Sequence, residues 1–141
     1  MEHRDQNCAY CGNEEALARF GIYICDLTQT RLYLFKEQSH PGRVIVANKD
    51  HVADITDLSD EERNAFFADV ARVSKALKAV FNPGRINYGA YNDKGIHLHV
   101  HLVPKYEGEF EWGDVFAMNP DRVALPEAEY AELIEKIKAA L

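Results

Sequence analysis

The 141-residue sequence has no apolar run long enough to cross a membrane: its longest such stretches are a few residues long, whereas a bilayer requires about 20. Residues 1–5 are polar and lack the apolar core of a secretion signal. We therefore expect a cytoplasmic protein with no membrane partner.

Positive charge is also scarce, because 16 Lys and Arg face 23 Asp and Glu and the formal net charge is −7. Nucleic-acid-binding modules usually carry a basic stripe, and the nearest candidate, residues 72–78, has the spacing of a solvated helix face. We expect no nucleic-acid partner. Any phosphorylated ligand must be held by local donors, since the overall field repels it.

Cysteine occurs only three times, as Cys8, Cys11 and Cys25. An odd count in a chain of this type argues against a disulfide framework. The spacing Cys8-x-x-Cys11 is that of half a zinc site or of a redox pair, and the spacing alone leaves both open. Cys25 lies in an apolar segment and is interpreted as a small buried hydrophobe. His3 and His40 have no motif context and are expected at the surface.

The sequence has no internal repeat, low-complexity tract or linker, and its length and 47% hydrophobic content suit one domain over residues 1–141. Segments rich in β-branched and aromatic residues, bounded by turn residues, predict strands. These segments are 22–25, 31–35, 43–47, 85–91 and 96–103.

The helices are predicted from caps and apolar spacing. Ser59 and Glu62 form a capping box ahead of a long helix, which ends near Phe81 because Asn-Pro-Gly follows. A last helix begins at Pro126, and a short one is expected over residues 9–19. The order of elements favours an α+β domain with an antiparallel sheet of about five strands, one long helix and a C-terminal helix.

Three histidines alternate with apolar residues in the segment His97-Leu98-His99-Val100-His101. Alternate side chains of a strand share a face, so the three imidazoles lie together and Leu98 and Val100 face the core. A strand face of this kind is compatible with two functions. The histidines bind a catalytic metal, or one imidazole is a nucleophile towards phosphorus, and residue chemistry alone does not decide.

The segment His97–Val103 resembles in full the signature of the histidine triad (HIT) family, in which three histidines alternate with apolar residues and two more apolar residues follow. The resemblance covers about residues 8–106 and extends to 112–120. Its other carriers are Pro41–Val46, Lys49–His51, Asp57–Glu62, Asn87–Gly89 and Pro104–Tyr106, as in bacterial members described as diadenosine polyphosphate hydrolase-like.

This resemblance implies a HIT fold, a homodimer and a nucleotide-type substrate. The implied reaction is hydrolysis or transfer of a nucleotidyl group at the α-phosphate of a phosphoanhydride or phosphoramidate. His99 would form the covalent nucleotidyl intermediate, and His101 would bind a phosphoryl oxygen or the leaving group. The residues implied to bind phosphate beside these two histidines are Asn87, Asn92, Asp93 and Lys94.

In HIT proteins with an N-terminal cysteine pair, two histidines complete a zinc site. One follows the Pro-Gly strand and the other is the first triad histidine. The resemblance therefore implies a structural zinc ion held by Cys8, Cys11, His51 and His97. His99 and His101 are then left for the chemistry.

The chain departs from the family pattern in two places. The loop before the triad carries Lys94 where many members have serine or glutamine, and a full positive charge there suits phosphate. The stretch Leu34–Glu37 lacks the aspartate that binds ribose hydroxyls in many members, so Glu37 is the candidate substitute. The segment with Phe110, Trp112 and Phe116 is expected near a shared interface or over the cleft.

Two other functions remain open from the sequence. The chain would be a metal-dependent hydrolase if all three triad histidines were ligands. It would be a nucleotide-binding protein without turnover if the fold were kept for binding alone.

Overall fold

In the computed structural model, which describes residues 4–94 and 96–141, five strands form one antiparallel sheet with the order β1-β2-β3-β5-β4. The strands are β1 (Gly21–Asp26), β2 (Thr30–Phe35), β3 (Val44–Asn48), β4 (Arg85–Gly89) and β5 (His99–Lys105). The helices are α1 (Glu14–Ala18), α2 (Asp60–Phe81) and α3 (Glu127–Ala140), with short 3₁₀ turns at Ala9–Cys11 and Ile55–Asp57. The predicted α+β class, sheet and two main helices are confirmed.

The long helix α2 begins and ends where its sequence signals predict. The Ser59 side chain accepts from the Glu62 amide while the Glu62 side chain accepts from the Ser59 amide, which completes the capping box. Asn82 adopts the left-handed conformation at the C-terminus, with φ 48°. Phe66, Val73 and Leu77 are buried along one face and fix α2 against the sheet.

Two element boundaries differ from prediction. The expected helix over residues 9–19 is divided, because Gly12 adopts φ 115° after the 3₁₀ turn and Asn13 then caps α1. The last strand begins at His99 and not at Ile96. Just before it, Leu98 donates to the Val52 carbonyl and accepts from the Asn48 amide, so this segment pairs outside the regular ladder.

The two faces of the sheet carry different partners. One face packs against α2 and α3 through the main core, to which β5 contributes Val100 and Leu102 and the residue before it, Leu98, also belongs. The other face carries Tyr33, Phe35, Ile45 and Ala47, and the N-terminal segment covers it with Tyr10, Leu17 and Phe20. The histidine face of β5 belongs to this second side, because the Tyr10 ring lies 5.2 Å from the rings of both His97 and His99.

Three smaller predictions have different outcomes. The surface location of His40 is wrong: it is 2% exposed, with Nε2 2.7 Å from a Glu111 carboxylate oxygen. His3 lies outside the described residues. Cys25 is half-buried and packs at the edge of the main core. Among the described residues no helix has the length and apolar character needed to cross a membrane.

Candidate functional site

The first group of the site is a cluster of two cysteines and two histidines. Cys8 precedes the N-terminal 3₁₀ turn and Cys11 is its last residue, His51 follows β3, and His97 lies two residues before β5. One ligand atom from each lies within 4.8 Å of all the others. The structure therefore brings the four predicted ligands together, although 86 residues separate Cys11 from His97.

The distances within this cluster fit tetrahedral coordination. The Sγ atoms of Cys8 and Cys11 both lie 3.4 Å from His97 Nδ1, and Cys11 Sγ lies 3.3 Å from His51 Nδ1. The two Nδ1 atoms are 3.1 Å apart. Zinc bonds of about 2.3 Å to sulfur and about 2.0 Å to nitrogen place S and N about 3.5 Å apart and two nitrogens about 3.3 Å apart. The donor set and its spacing could hold a metal ion of this kind.

A hydrogen bond on the other side of the ring orients His97 so that Nδ1 faces the cluster. Its Nε2 lies 2.6 Å from the Asn48 carbonyl oxygen, and because that oxygen only accepts, Nε2 carries the proton and donates. Nδ1 then presents a lone pair to the cluster. Burial lowers the pKa of His97 to about 4, so the ring is neutral at physiological pH. Burial raises the pKa of the neighbouring Cys8 thiol to about 11.

The second group of the site is His99 on β5, opposite Ala47 of β3. Its Nδ1 lies 2.6 Å from the His97 carbonyl oxygen and must donate to it. In the neutral ring Nε2 therefore keeps its lone pair. Burial lowers the pKa of His99, which favours this neutral form. An imidazole in this state can act as a nucleophile without a base to deprotonate it.

The third group is His101, whose cross-strand neighbours are Ile45 of β3 and Gly89 of β4. Its Nδ1 lies 3.1 Å from Arg43 Nη2. Burial lowers the pKa of His101 to about 3, and the positive charge of Arg43 contributes in the same direction. The ring of Phe116 packs over it, with the two centroids 6.2 Å apart.

These histidines open on a cavity of about 940 Å³, a volume in the range of ligand pockets. Aromatic rings form much of its wall. The lining includes Tyr10, Phe20, Phe35, Tyr91 and Phe116 together with His51, His97, His99, His101, Asp93, Lys94 and Asn119. The aromatic surface suits a flat ring, and the imidazoles and Lys94 suit an anion.

Two of the four further residues predicted to bind phosphate line this cavity and two do not. Asp93 and Lys94 line it, whereas Asn87 and Asn92 are not among its lining residues. Asn87 is half-buried on β4, where it pairs with Val103 of β5. Asn92 is exposed in the loop that precedes Asp93. The phosphate contact of all four residues stays a prediction.

Glu37, the candidate for ribose binding, lies away from the histidine cavity and has partners of its own, and its role in ribose binding stays a prediction. One carboxylate oxygen accepts from the Ser39 amide, and the other accepts from the Ser39 hydroxyl and the amides of Arg122 and Val123. The carboxylate is thus hydrogen-bonded to Ser39 through both oxygens and to the backbone of Arg122 and Val123 through one of them. Glu37 is also not among the lining residues of the histidine cavity.

Of the three aromatic residues placed over the cleft or at an interface, one lines the cavity. Phe116 does so. Phe110 packs against His40 and under the Arg122 guanidinium. Trp112 lies against Gly84, where an added Cβ would come within 3.0 Å of the indole.

Sequence reasoning missed three contributors. Arg43 directly precedes the apolar strand Val44–Asn48 in the sequence. A charged residue next to such a strand indicates a buried charge, which needs a hydrogen-bonding partner. Tyr10 lies between the two cysteines and gives no such signal. Asn48 acts through its carbonyl oxygen, and a backbone contact leaves no trace in residue type.

The fold and the histidine segment define the class of protein to which this chain belongs. The family model described as HIT domain matches residues 24–108, more than half of the chain. The chain is therefore a member of the HIT domain family, and the predicted family is confirmed.

Curated relatives of several kinds are similar to the chain. Protein hit of Bacillus subtilis is 23% identical over 84% of this chain and 85% of its own length. The asymmetrical bis(5'-nucleosyl)-tetraphosphatase of Schizosaccharomyces pombe is 30% identical, over 53% of this chain. The similar region spans only 44% of that relative's length, so the similarity does not assign the relative's activity to this chain.

Solved structures share the fold. A histidine triad (HIT) protein from Sinorhizobium meliloti has a TM-score of 0.83 and 23% identity, covering 90% of this chain and 94% of its own. A zinc-bound histidine triad family protein from Mycobacterium smegmatis has a TM-score of 0.68 and 23% identity, covering 96% and 93%. At these identities the likeness establishes the architecture.

Proposed function

We propose that this chain is a nucleotide hydrolase or nucleotidyl transferase that cleaves a phosphoanhydride or phosphoramidate bond at the α-phosphate through a covalent intermediate on His99. The observation that carries the proposal is the hydrogen bond from His99 Nδ1 to the His97 carbonyl. It leaves the Nε2 lone pair of a cavity-lining imidazole free for attack.

The reaction has two steps. His99 Nε2 forms a bond to the α-phosphorus while the bond from phosphorus to the leaving group breaks; the leaving group departs with the bonding electrons, and an amine takes up a proton from solvent water. Water or another acceptor then attacks the same phosphorus, the P–N bond to His99 breaks, and the nucleotidyl group leaves as a monophosphate or a transferred ester. His101, on the same face of β5, is the group that hydrogen-bonds the phosphoryl oxygen or the leaving group.

The cavity supports a nucleotide as substrate. Its rings of Tyr10, Phe20 and Phe35 offer stacking surface for a base, and Lys94 at the rim offers charge for phosphate. A curated relative is a bis(5'-nucleosyl)-tetraphosphatase, which is consistent with this class. Asn87, Asn92 and Asp93 are the remaining candidates for phosphate contact.

The alternative of a three-histidine metal site has less geometric support. The Nδ1 of His97 points into the cluster with the two cysteines, while the Nδ1 of His99 is taken by a carbonyl oxygen. The metal-type cluster consists of Cys8, Cys11, His51 and His97 and includes neither His99 nor His101. This arrangement supports a triad whose histidines are divided between two sites.

Zinc fits the first of these sites as a structural ion. Bound there, it would supply a cross-link with no open coordination position, since the protein offers four ligands. The residues that would hold it tie the N-terminal segment to the end of β3 and the start of β5. That cross-link would fix His97, whose carbonyl oxygen orients His99.

A homodimer of single-domain chains is the assembly we propose. β4 is an edge strand, so its outer amides and carbonyls are available for pairing. Tyr88 on β4 and Phe67 on α2 are 54% and 47% exposed. The Tyr88 hydroxyl lies 3.0 Å from the Ser74 hydroxyl of α2, which joins the two elements along this side. Light scattering after size exclusion should give twice the chain mass, and Tyr88→Asp should give the monomer.

The decisive experiment is trapping of the intermediate. The chain is mixed with a panel of diadenosine polyphosphates, adenosine 5'-phosphoramidate and aminoacyl adenylates, quenched rapidly and examined by intact mass spectrometry. We expect an added adenylyl group that is absent from His99→Ala and retained in His40→Asn, because His40 does not line the cavity. Binding without any adduct or turnover across the panel would instead make the chain a nucleotide-binding protein.

A further inference from the structure

Arg43 is a fully buried arginine directly behind the histidine face. It precedes β3, its side chain is 0% exposed, and its guanidinium carbon lies 4.1 Å from the centroid of the Phe35 ring. The Phe116 ring lies on its other side, at 5.0 Å. The two terminal nitrogens donate to the carbonyl oxygens of Ala117 and Met118 at 3.0 and 2.9 Å.

The remaining contact of this guanidinium fixes a proton on His101. Arg43 Nη2 lies 3.1 Å from His101 Nδ1, and an arginine has donors and no acceptor. His101 Nδ1 must therefore accept, so the proton of the neutral ring is on Nε2. His99 has the opposite arrangement, with its proton on Nδ1.

We propose that Arg43 is a positioning residue that holds His101 as the Nε2–H tautomer, so that His101 donates a hydrogen bond at the phosphorus centre that His99 attacks. This inference rests on the proposed function. Arg43 touches neither substrate nor reacting atoms, because it is absent from the cavity lining and acts through the His101 ring. The donor is present in the neutral ring, before any substrate arrives.

A purely structural role does not account for a buried arginine at this position. No carboxylate of the described residues forms an ion pair with Arg43, and its buried Nε has no acceptor among them. A buried cation of this kind costs free energy that an apolar residue of similar size would not. The segment it anchors also has another cationic anchor, because Lys105 donates to the carbonyl oxygens of Glu111 and Asp114.

The first test reads the tautomer directly in the wild-type protein. Long-range ¹⁵N–¹H correlation spectra of ¹⁵N-histidine-labelled protein at neutral pH distinguish Nδ1–H from Nε2–H for each ring. We expect Nε2–H for His101 and Nδ1–H for His99. A His101 proton on Nδ1, or a mixture of both forms, overturns the inference without any variant.

The second test compares Arg43→Met with Lys105→Met. Both remove a buried cation that binds the segment at residues 111–118, but only Arg43 touches His101. In Arg43→Met, His101 should become a mixture of tautomers while His99 keeps Nδ1–H. In Lys105→Met, both tautomers should be unchanged. Equal changes in the two variants would mean that the segment, and not the arginine, sets the tautomer.

A kinetic arm uses adenosine 5'-phosphoramidate as probe. Arg43→Met should lower kcat roughly 10²-fold, the usual loss for one preorganised donor, with a smaller change in KM. Arg43→Lys, which keeps a donor on a different stem, should recover part of kcat. If Arg43→Met is poorly folded, the wild-type tautomer still decides. Correct tautomers without any His99 adduct would refute the proposed function alone, and an adduct with the wrong His101 tautomer would refute this inference alone.

Discussion

The two ends of the histidine segment are buried to the same extent and prepared for opposite tasks. His97 is 1% exposed and His101 3%, and burial lowers the pKa of both. At His97 the Nε2–H donates to a carbonyl oxygen, which leaves a lone pair on Nδ1 facing the cysteine cluster. At His101 a guanidinium donates to Nδ1 and leaves a proton on Nε2.

The difference teaches that burial makes an imidazole neutral and that its hydrogen-bond partner then decides what the ring can do. A carbonyl oxygen behind the ring produces a ligand or nucleophile on the other nitrogen. A guanidinium behind the ring produces a donor. His99, between the two, follows the first pattern through the His97 carbonyl.

The largest expected effect separates the middle histidine from both ends. His99→Ala should lower kcat by roughly 10⁴-fold or more, as for loss of a nucleophile, and abolish the adduct. The metal-to-chain ratio should stay at the wild-type value, measured by elemental analysis of the purified protein. Loss of metal together with activity would show that the triad acts as one metal site.

The next largest effect concerns metal binding by the cysteine and histidine cluster at the His97 end of the histidine segment. Cys11→Ser should abolish metal binding and lower the free energy of unfolding by roughly 3–4 kcal/mol, the value for a ligand present at 100 to 1,000 times its Kd. Denaturant titration with and without a chelator measures it, and the variant should no longer respond to the chelator. Cys25→Ser is the matched control, because Cys25 is outside the cluster and its variant should keep both metal and response.

A smaller effect concerns charge at the cavity rim, away from both buried ends. Lys94→Met should raise KM roughly 5-fold through the loss of about 1 kcal/mol of attraction to phosphate, as for an exposed ion pair, with kcat little changed. The difference from wild type should shrink at high salt because the side chain is exposed. Lys49→Met, outside the cavity lining, should leave KM and its salt dependence unaltered.

The smallest effect is a pH dependence of stability at Glu37, which lies outside the histidine cavity. Burial raises the pKa of Glu37, but hydrogen bonds from Val123, Arg122 and Ser39 outweigh it and hold the pKa below 4.5. Because the folded pKa is below the unfolded one, the stabilisation is complete above pH 4.5 and is lost as pH falls through the folded pKa.

Glu37→Gln should therefore have a lower urea midpoint than wild type at pH 7, and the gap should be smaller at pH 3. Titrations at both pH values measure it. A gap of the same size at pH 3 would mean that packing, and not ionisation, is responsible. Glu107→Gln serves as the comparison, since its carboxylate is exposed.

Much of the fold follows from local signals. The capping box at Ser59 and the left-handed residue after Phe81 bound α2 as the sequence predicts. The start of β5 does not, because Leu98 takes its hydrogen bonds from Asn48 and Val52, which are about 50 residues away in the chain. A pairing partner that distant leaves no local pattern to read.

For the site, residue types were predictable and their partners were not. Resemblance predicted the set Cys8, Cys11, His51 and His97, and the fold brings these four together. The resemblance also left Glu37 as the candidate ribose ligand, whereas in the fold one of its oxygens accepts from the Arg122 and Val123 amides, more than 80 residues later in the chain. Only the folded chain determines which side-chain groups already have hydrogen-bond partners within the protein.

The sequence by itself determined that three histidines alternate on a half-buried segment and share one face, since the two-residue period of a strand is a local property. The tertiary structure decided what each one is. Asn48 and Arg43 reach His97 and His101 from either end of β3, so their separation in space is set by sheet pairing and not by sequence spacing. Those two contacts fix the position of a single proton on each ring, and with it which nitrogen keeps a lone pair and which can donate.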